Sequence, residues 1–192
     1  MSLRPAALAF VLLLPSWACA GPPDAAALAR KACEAASELP TRSQGLLEGL
    51  QQASPYELRL IRPAVPAGKW ITPLDDAFTV EVWKGGARRY AWKAHAGSSF
   101  TIAEGVLYRS EYCAIASGCT VRAIDLATGA ERWSTGLQGI GPVAHSKYFN
   151  SVRLYLEEGL LCVAGYEAAG SYGEVLDPAS GRTLANHCPR RE

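Results

Sequence analysis

The stretch from Arg122 to Trp133, RAIDLATGAERW, decides which fold we expect for this chain. A short β-prone run ends at Asp125, and Thr128 and Gly129 follow at the spacing of a tight turn. Aspartate and threonine oxygens accept hydrogen bonds from nearby backbone amides, and glycine adopts positive φ without strain. The stretch therefore predicts two antiparallel strands joined by a turn, with Trp133 on the second strand.

A second copy of this unit lies near the end of the chain. The segment 174–185, EVLDPASGRTLA, places Asp177, Ser180 and Gly181 at the corresponding turn positions. We expect these residues to have the same structural role as their counterparts, because the same side-chain oxygens and the same glycine are supplied. The chain is thus predicted to contain an internal repeat.

Three more segments extend the repeat. Segments 99–108 (SFTIAEGVLY) and 153–162 (RLYLEEGLLC) match in their apolar positions and in a Glu-Gly turn. Segment 80–92, VEVWKGGARRYAW, is a degenerate copy with a strand, a Gly turn and an aromatic strand. Alternation of apolar and polar residues predicts strands in four segments: 56–62, 78–83, 121–125 and 152–156.

These segments resemble the blades of the PQQ-like, or quinoprotein-type, β-propeller repeat. In that family one strand carries Gly-x-Leu-Tyr, as at 105–108, and a later hairpin carries Ala-x-Asp-x-x-Thr-Gly-x-x-x-Trp, as at 123–133. The copy at 174–185 has Ser180 in place of Thr and lacks the Trp. The resemblance covers roughly residues 78–187. It implies blade-like sheets, packing of Trp133 between neighbouring blades, and no catalytic role for the turn residues.

The length of the repeat region limits what the resemblance implies. Propellers have about 4 to 8 blades of roughly 40 to 50 residues, whereas residues 56–188 accommodate about three. A closed ring with an axial quinone cavity is therefore not expected, and the adjacent cysteine pair of the related dehydrogenases does not occur. We predict a mainly β fold, either an incomplete propeller or stacked antiparallel sheets, without a cofactor. Non-enzymatic relatives are secreted scaffolds, including a lipoprotein that assists outer-membrane protein assembly.

Residues 1–20 have the pattern of a signal peptide. Arg4 precedes an apolar run at 6–14, AALAFVLLL, and Ala18 and Ala20 form a small-residue cleavage site. The run is shorter than the about 20 residues that a membrane-spanning helix needs. We therefore expect cleavage after Ala20 and an extracytoplasmic protein, periplasmic or secreted, without a transmembrane anchor in the mature chain. Lipid attachment at Cys19 is the alternative.

Residues 21–55 predict a pair of short helices before the repeat domain at 56–192. Asp24 follows two prolines and is placed to cap the first helix, Pro40 separates the two, and Thr41 or Ser43 caps the second. We expect these helices to cover an exposed end of the sheets.

Removal of residues 1–20 would leave five of the six cysteines. In an oxidising compartment this number predicts up to two disulfides and one remaining thiol. Cys113 and Cys119 flank a short Gly-containing stretch and are the best candidate pair, while Cys33 and Cys188 would join the two ends of the chain. Cys162 is expected to be a core residue.

Composition excludes several functions. The formal net charge is +1, with 19 basic and 18 acidic residues, which argues against a nucleic-acid partner. No local motif for nucleophilic catalysis, metal binding or phosphate binding occurs, so we assign no catalytic, cofactor or metal residues.

Two hypotheses of function follow. The favoured one is a secreted or envelope-associated, non-catalytic β-repeat protein that serves in protein interaction or scaffolding, with a protein partner or by self-association. The alternative is a small extracytoplasmic hydrolase that uses His95 or His145 with Asp75 or Asp76, which would have to converge in one pocket.

Overall fold

The computed structural model describes residues 23–36, 55–62, 77–95, 98–110, 119–138, 151–167 and 170–187. Within these ranges the chain forms one helix and eleven strands. In chain order they are α1 (Ala25–Ala36), β1 (Glu57–Ile61), β2 (Ala77–Lys84), β3 (Ala87–His95), β4 (Phe100–Ala103), β5 (Val106–Ser110), β6 (Thr120–Asp125), β7 (Glu131–Gly136), β8 (Ser151–Glu157), β9 (Leu160–Glu167), β10 (Gly170–Leu176) and β11 (Thr183–His187).

The strands form three antiparallel sheets. The first sheet has the order β1-β2-β3, the second β4-β5-β6-β7 and the third β8-β9-β10-β11. Every pair of neighbouring strands is adjacent in sequence, as in a meander. The predicted mainly β architecture of blade-like antiparallel sheets is confirmed.

Two apolar layers join the sheets face to face. Between the first and second sheets lie Phe78, Val80, Val82, Trp92, Phe100, Ile102, Leu107 and Ile124. Between the second and third sheets lie Val106, Tyr108, Val121, Ala123, Leu154, Leu161, Val163, Tyr172 and Leu176. Because the inward residues of each strand are apolar, burial of these layers supplies the main force that stacks the sheets.

Helix α1 covers the outer face of the third sheet. Asp24 caps it as predicted: its carboxylate Oδ1 accepts hydrogen bonds from the amides of Ala26 and Ala27, both at 3.0 Å. The buried face of α1 consists of Leu28, Ala29, Ala32, Cys33 and Ala36. These residues pack against strands β9 and β10 through Cys162, Ala164 and Val175.

Small residues bring α1 very close to the sheet. A Cβ atom built on Gly173 of β10 would lie 1.9 Å from the carbonyl oxygen of Ala29 and 2.6 Å from the amide nitrogen of Cys33. The helix backbone thus rests directly on the strand, which only glycine permits at this point. An ion pair between Lys31 and Glu157 of β8 flanks the contact.

The hairpin turns reproduce the sequence repeat. The β4–β5 turn has positive φ at Glu104 and Gly105 (49° and 78°), and the β8–β9 turn has nearly the same values at Glu158 and Gly159 (51° and 77°). Positive φ at both central residues is the geometry of a type I′ turn, whose twist matches that of the flanking strands.

A shift in strand register also recurs. It lies between Val82 and Trp83 in the β2–β3 hairpin, between Ala123 and Ile124 in the β6–β7 hairpin, and after Val175 in the β10–β11 hairpin. The three sheets therefore share one plan, and β1, β2 and β3 correspond to the second, third and fourth strands of the other sheets.

The cysteine predictions have different outcomes. Cys119 is disulfide-bonded, and Cys113, its predicted partner, lies outside the described residues, as does Cys188. The predicted Cys33–Cys188 bridge is wrong for this structure, because Cys33 is a buried thiol on the face of α1 that packs against β10. Cys162 is a buried thiol in β9, and burial raises its pKa to about 12.

Several predicted segments cannot be compared. The signal peptide with Ala18, Cys19 and Ala20, and the second helix with Thr41 or Ser43, lie outside the described residues. In the part of the chain that the structure describes, no helix has the length and apolar character needed to cross a membrane.

Candidate interaction surface

The turn residues singled out in the sequence lie where strands of the second and third sheets end, in the β6–β7 and β10–β11 turns. In the β6–β7 turn, Asp125 Oδ1 accepts hydrogen bonds from the amides of Ala127 (2.8 Å) and Thr128 (3.1 Å). Thr128 Oγ1 accepts one from the Ala130 amide at 3.2 Å, and Gly129 has φ +76°. The side chains thus satisfy backbone groups of their own turn, as expected for structural residues.

The β10–β11 turn has the same construction. Asp177 Oδ1 accepts a hydrogen bond from the Ala179 amide at 2.8 Å, and the Ser180 hydroxyl donates to Asp177 Oδ2 at 2.9 Å. Gly181 has φ +74° and its amide donates to the Asp177 carbonyl. Serine takes the place of threonine: Ser180 Oγ accepts a hydrogen bond from the Arg182 amide at 3.4 Å, as Thr128 Oγ1 does from the Ala130 amide, and the turn is retained.

Trp133 lies between the second and third sheets. Its indole Nε1 donates to the carbonyl oxygen of Pro178 in the β10–β11 turn at 2.9 Å, and its ring centroid lies 5.9 Å from that of Tyr108. The neighbouring Thr135 hydroxyl donates to the Gly181 carbonyl at 2.7 Å. Two side chains of β7 are therefore hydrogen-bonded to the β10–β11 turn of the third sheet.

Arg132 forms an ion pair with Asp125, the acidic residue of the β6–β7 turn. Its Nη2 and Nε donate to Asp125 Oδ2 at 2.5 and 3.2 Å. This contact and the two turn amides lower the pKa of Asp125 from its ordinary value of 3.8 to about 2. A lowered folded-state pKa adds stability above pH 3.8, and this stability is lost as the pH falls towards 2.

We therefore expect the free energy of unfolding to fall between about pH 4 and 2 partly through Asp125. In Asp125→Asn the turn keeps an acceptor but loses the titrating group, so the slope of stability against pH over this window should be smaller than in the parent. Urea denaturation at a series of pH values measures both slopes. Parallel curves would contradict the assignment.

Two shallow grooves open beside these hairpin turns. One of about 450 Å³, between the first and second sheets, is lined by Tyr56, Lys84, Arg89, Glu104, Asp125 and Arg132. The other, of about 270 Å³, lies between the second and third sheets, and Glu104 and Arg132 also line it. Their charged residues are of both signs, and Arg132 is engaged with Asp125, so neither groove presents a concentrated charge to a ligand.

The outer face of the first sheet is the more distinctive surface. It faces away from the second sheet, and we define it by Glu57, Arg59, Ile61, Glu81, Trp83, Arg88 and Lys93. The guanidinium of Arg59 stacks over the Trp83 ring at 4.1 Å and donates to Glu57 Oε1 at 2.8 Å. The cation–π contact and the hydrogen bond thus join Arg59 to both neighbouring side chains.

Glu81 is the centre of this network. Trp83 Nε1 donates to its Oε2 at 2.9 Å, and Arg88 Nη1 donates to its Oε1 at 2.9 Å. The hydrogen bonds from Arg88 and Trp83 lower the pKa of Glu81, and that from Arg59 lowers the pKa of Glu57. Both carboxylates are therefore ionised at neutral pH. The outer face carries a fixed array of both charges around one indole ring.

The register explains why this face is polar. Since the shared register shift makes Val82 equivalent to Ala123, Glu57 of β1 is equivalent to Leu107 of β5. Leu107 is fully buried because the first sheet packs on it, whereas Glu57 is exposed. A buried leucine position has thus become a charged position at the end of the stack.

The described residues do not test the alternative hydrolase hypothesis. His145, Asp75 and Asp76 lie outside the described residues, and so does the side chain of His95. His187 ends β11 and is half-buried. Within the described ranges, no three His, Cys, Asp or Glu side chains converge to hold a metal ion.

Sequence reasoning did not find the array on the outer face. Its signal is Glu57 on β1, where the equivalent strands β5 and β9 carry Leu107 and Leu161. It also missed Glu174, whose fully buried carboxylate accepts hydrogen bonds from the Gln138 amide and the Thr183 hydroxyl, each at 2.8 Å. That residue bridges the second and third sheets.

No family model and no curated protein matches the chain. Among solved structures the chain is similar to BamB from Moraxella catarrhalis, with 18% sequence identity and a TM-score of 0.39. The match covers 69% of this chain and 39% of that chain, so this chain spans less than half the length of the structure that it matches.

Proposed function

We propose that this protein is an extracytoplasmic, non-catalytic β-repeat module that binds a protein partner through the outer face of the first sheet. One observation carries the proposal: the outer faces of the first and third sheets, which are the two outermost sheets of the stack, differ in what covers them. Helix α1 covers the third sheet, whereas the first sheet ends in a polar array that contains a tryptophan. A sheet face at the end of a stack is a natural place for another protein to continue it.

The chemistry of the outer face suits a protein. Trp and Arg are enriched among the residues that contribute most to protein interfaces, because they combine a large apolar area with directed hydrogen bonds. Arg59 and Arg88 keep roughly half of their side chains accessible, at 46% and 58%. The alternation of Arg59 and Arg88 with Glu57 and Glu81 favours a partner of mixed charge over a polyanion such as nucleic acid.

The extracytoplasmic location rests on residues 1–20 and on Cys119. The N-terminal segment has the pattern of a cleaved signal, and disulfide-bonded cysteines are typical of oxidising compartments. We expect the exported protein to begin at Gly21. Intact mass and N-terminal sequencing of the exported protein measure this directly, and a retained Met1 or a lipidated Cys19 would contradict cleavage after Ala20.

The partner surface is testable by site-specific photo-crosslinking in the native host. A photoreactive residue replaces Lys93, which lies on the outer face, and in a matched control it replaces Leu184, which is exposed on β11 of the third sheet. We expect discrete protein adducts from position 93 that are absent from position 184. Equal labelling at both positions, or adducts from position 184 alone, would overturn the proposed surface.

A further inference from the structure

The first sheet has three described strands, whereas the second and third have four each. The shared register makes β1 equivalent to β5 and β9, which are the second strands of their sheets. The strand position that β4 fills beside β5 is therefore next to β1. Among the described residues, no strand pairs with that edge of β1.

The residues of β1 are also more exposed than the equivalent residues of β5. In β5, which β4 flanks, Ser110 and Tyr108 are 2% and 6% exposed. The equivalent residues of β1 are Leu60, which is 37% exposed, and Leu58, which is half-buried. Ile61 is 50% exposed. A strand edge that no described strand covers is a template for pairing with another strand.

We propose that β1 pairs with β1 of a second copy of this chain, antiparallel and about a two-fold axis. This proposal rests on the proposed function, because it names a second copy of the chain as a protein partner of the first sheet. It is an isologous contact, in which one segment contacts its own counterpart, so it closes after two chains and does not propagate into a fibre.

The sequence of β1 selects the register. When Leu58 of one chain lies opposite Leu58 of the other, Glu57 lies opposite Arg59 twice, once on each side of the axis. Tyr56 then lies opposite Leu60, so each face carries matched pairs. Opposite charges and apolar residues directly across strands are stabilising, whereas like charges there are destabilising.

The neighbouring registers are poorer. Centring the axis on Arg59 places two arginines directly opposite each other, and centring it on Leu60 places Arg59 opposite Ile61 and Leu58 opposite Arg62. The self-complementary register thus places Glu57 and Arg59 of both chains in one cluster of alternating charge at the centre of the joined outer faces.

The test exploits this two-fold exchange of charges. Glu57→Arg alone, or Arg59→Glu alone, places like charges opposite each other in a homodimer. Each variant should therefore raise the dissociation constant of the dimer by about 10-fold or more. An equimolar mixture of the two variants should restore the dimer, because each Arg then faces a Glu. Arg30→Glu reverses an exposed charge on α1, which lies on the third sheet and not on the first, and should leave the dimer unchanged.

The measurement is sedimentation equilibrium or light scattering of the exported full chain over a range of concentrations, with circular dichroism to verify that each variant is folded. The expected result is a dimer for the parent, the Arg30→Glu variant and the mixture, and monomers for each folded variant at position 57 or 59. A monomeric parent, or a mixture that stays monomeric, would overturn the proposal. Photo-crosslinks from position 93 to other proteins would still support the proposed function in that case, so the two failures are distinguishable.

Discussion

Replacing Gly173 with alanine is expected to displace α1 and to lower the free energy of unfolding by about 3 kcal/mol, the upper part of the usual range for forcing one extra carbon into a packed site. The added Cβ would lie 1.9 Å from the Ala29 carbonyl oxygen and 2.6 Å from the Cys33 amide nitrogen. Both are backbone atoms of the helix. A rotamer change cannot relieve the contact, so the whole helix must move.

Displacement of α1 has a second consequence at the two buried thiols. Cys33 lies on α1 and Cys162 lies beneath it on β9, and both are buried. We expect Gly173→Ala to make these thiols react with a water-soluble thiol reagent well before global unfolding, as a local opening would. This distinguishes a detached helix from a uniformly weakened protein.

Urea denaturation and thiol labelling of the two proteins measure these effects. Gly136→Ala is the matched control, because Gly136 also lies in a strand but a Cβ built there meets nothing within 4 Å. The control should stay within about 0.5 kcal/mol of the parent. An equally stable Gly173→Ala variant with protected thiols would show that α1 does not rest on β10 as described.

Replacing Gly181 with alanine is expected to cost a similar amount, about 3 kcal/mol, for two reasons that add. Gly181 has φ +74°, a conformation that costs about 1 to 2 kcal/mol for a residue with a Cβ. The Cβ would also lie 2.5 Å from Trp133 Cε3 and 2.6 Å from Thr135 Oγ1. The change therefore strains the turn and separates the second sheet from the third.

Gly159→Ala isolates the first of these two costs. Gly159 has φ +77°, but a Cβ built there meets nothing within 4 Å. The difference in unfolding free energy between the two variants, obtained from urea denaturation, therefore measures the contact with Trp133 and Thr135. Equal losses would mean that backbone strain accounts for the whole effect and that the packing against Trp133 is loose enough to yield.

The repeat made much of this fold predictable. Each hairpin depends on neighbours in sequence: Asp125 caps amides two and three residues away, and each Glu-Gly turn supplies a glycine at one of its two positions of positive φ. Such local hydrogen bonds and dihedral preferences follow directly from the residue types. The strands, their turns and the cap of α1 were therefore predictable from the order of residues alone.

Contacts between distant segments were not predictable in the same way. The Cys33–Cys188 bridge was inferred from positions at opposite ends of the chain, but the side chain of Cys33 faces β10 because α1 docks through Gly173. The outer face also escaped prediction, because a charged residue in an alternating strand has the same appearance whether its sheet lies within a stack or at its end.

The mainly β class, the hairpin repeats, the turn residues and the cap of the first helix follow from the sequence, because these features depend on interactions within a few residues. The docking of α1 on the third sheet, and the meeting of Glu57, Arg59 and Trp83 on the outer face of the first, are properties of the assembled fold. They depend on which surfaces remain exposed after the sheets have stacked, and burial is a property of the whole chain.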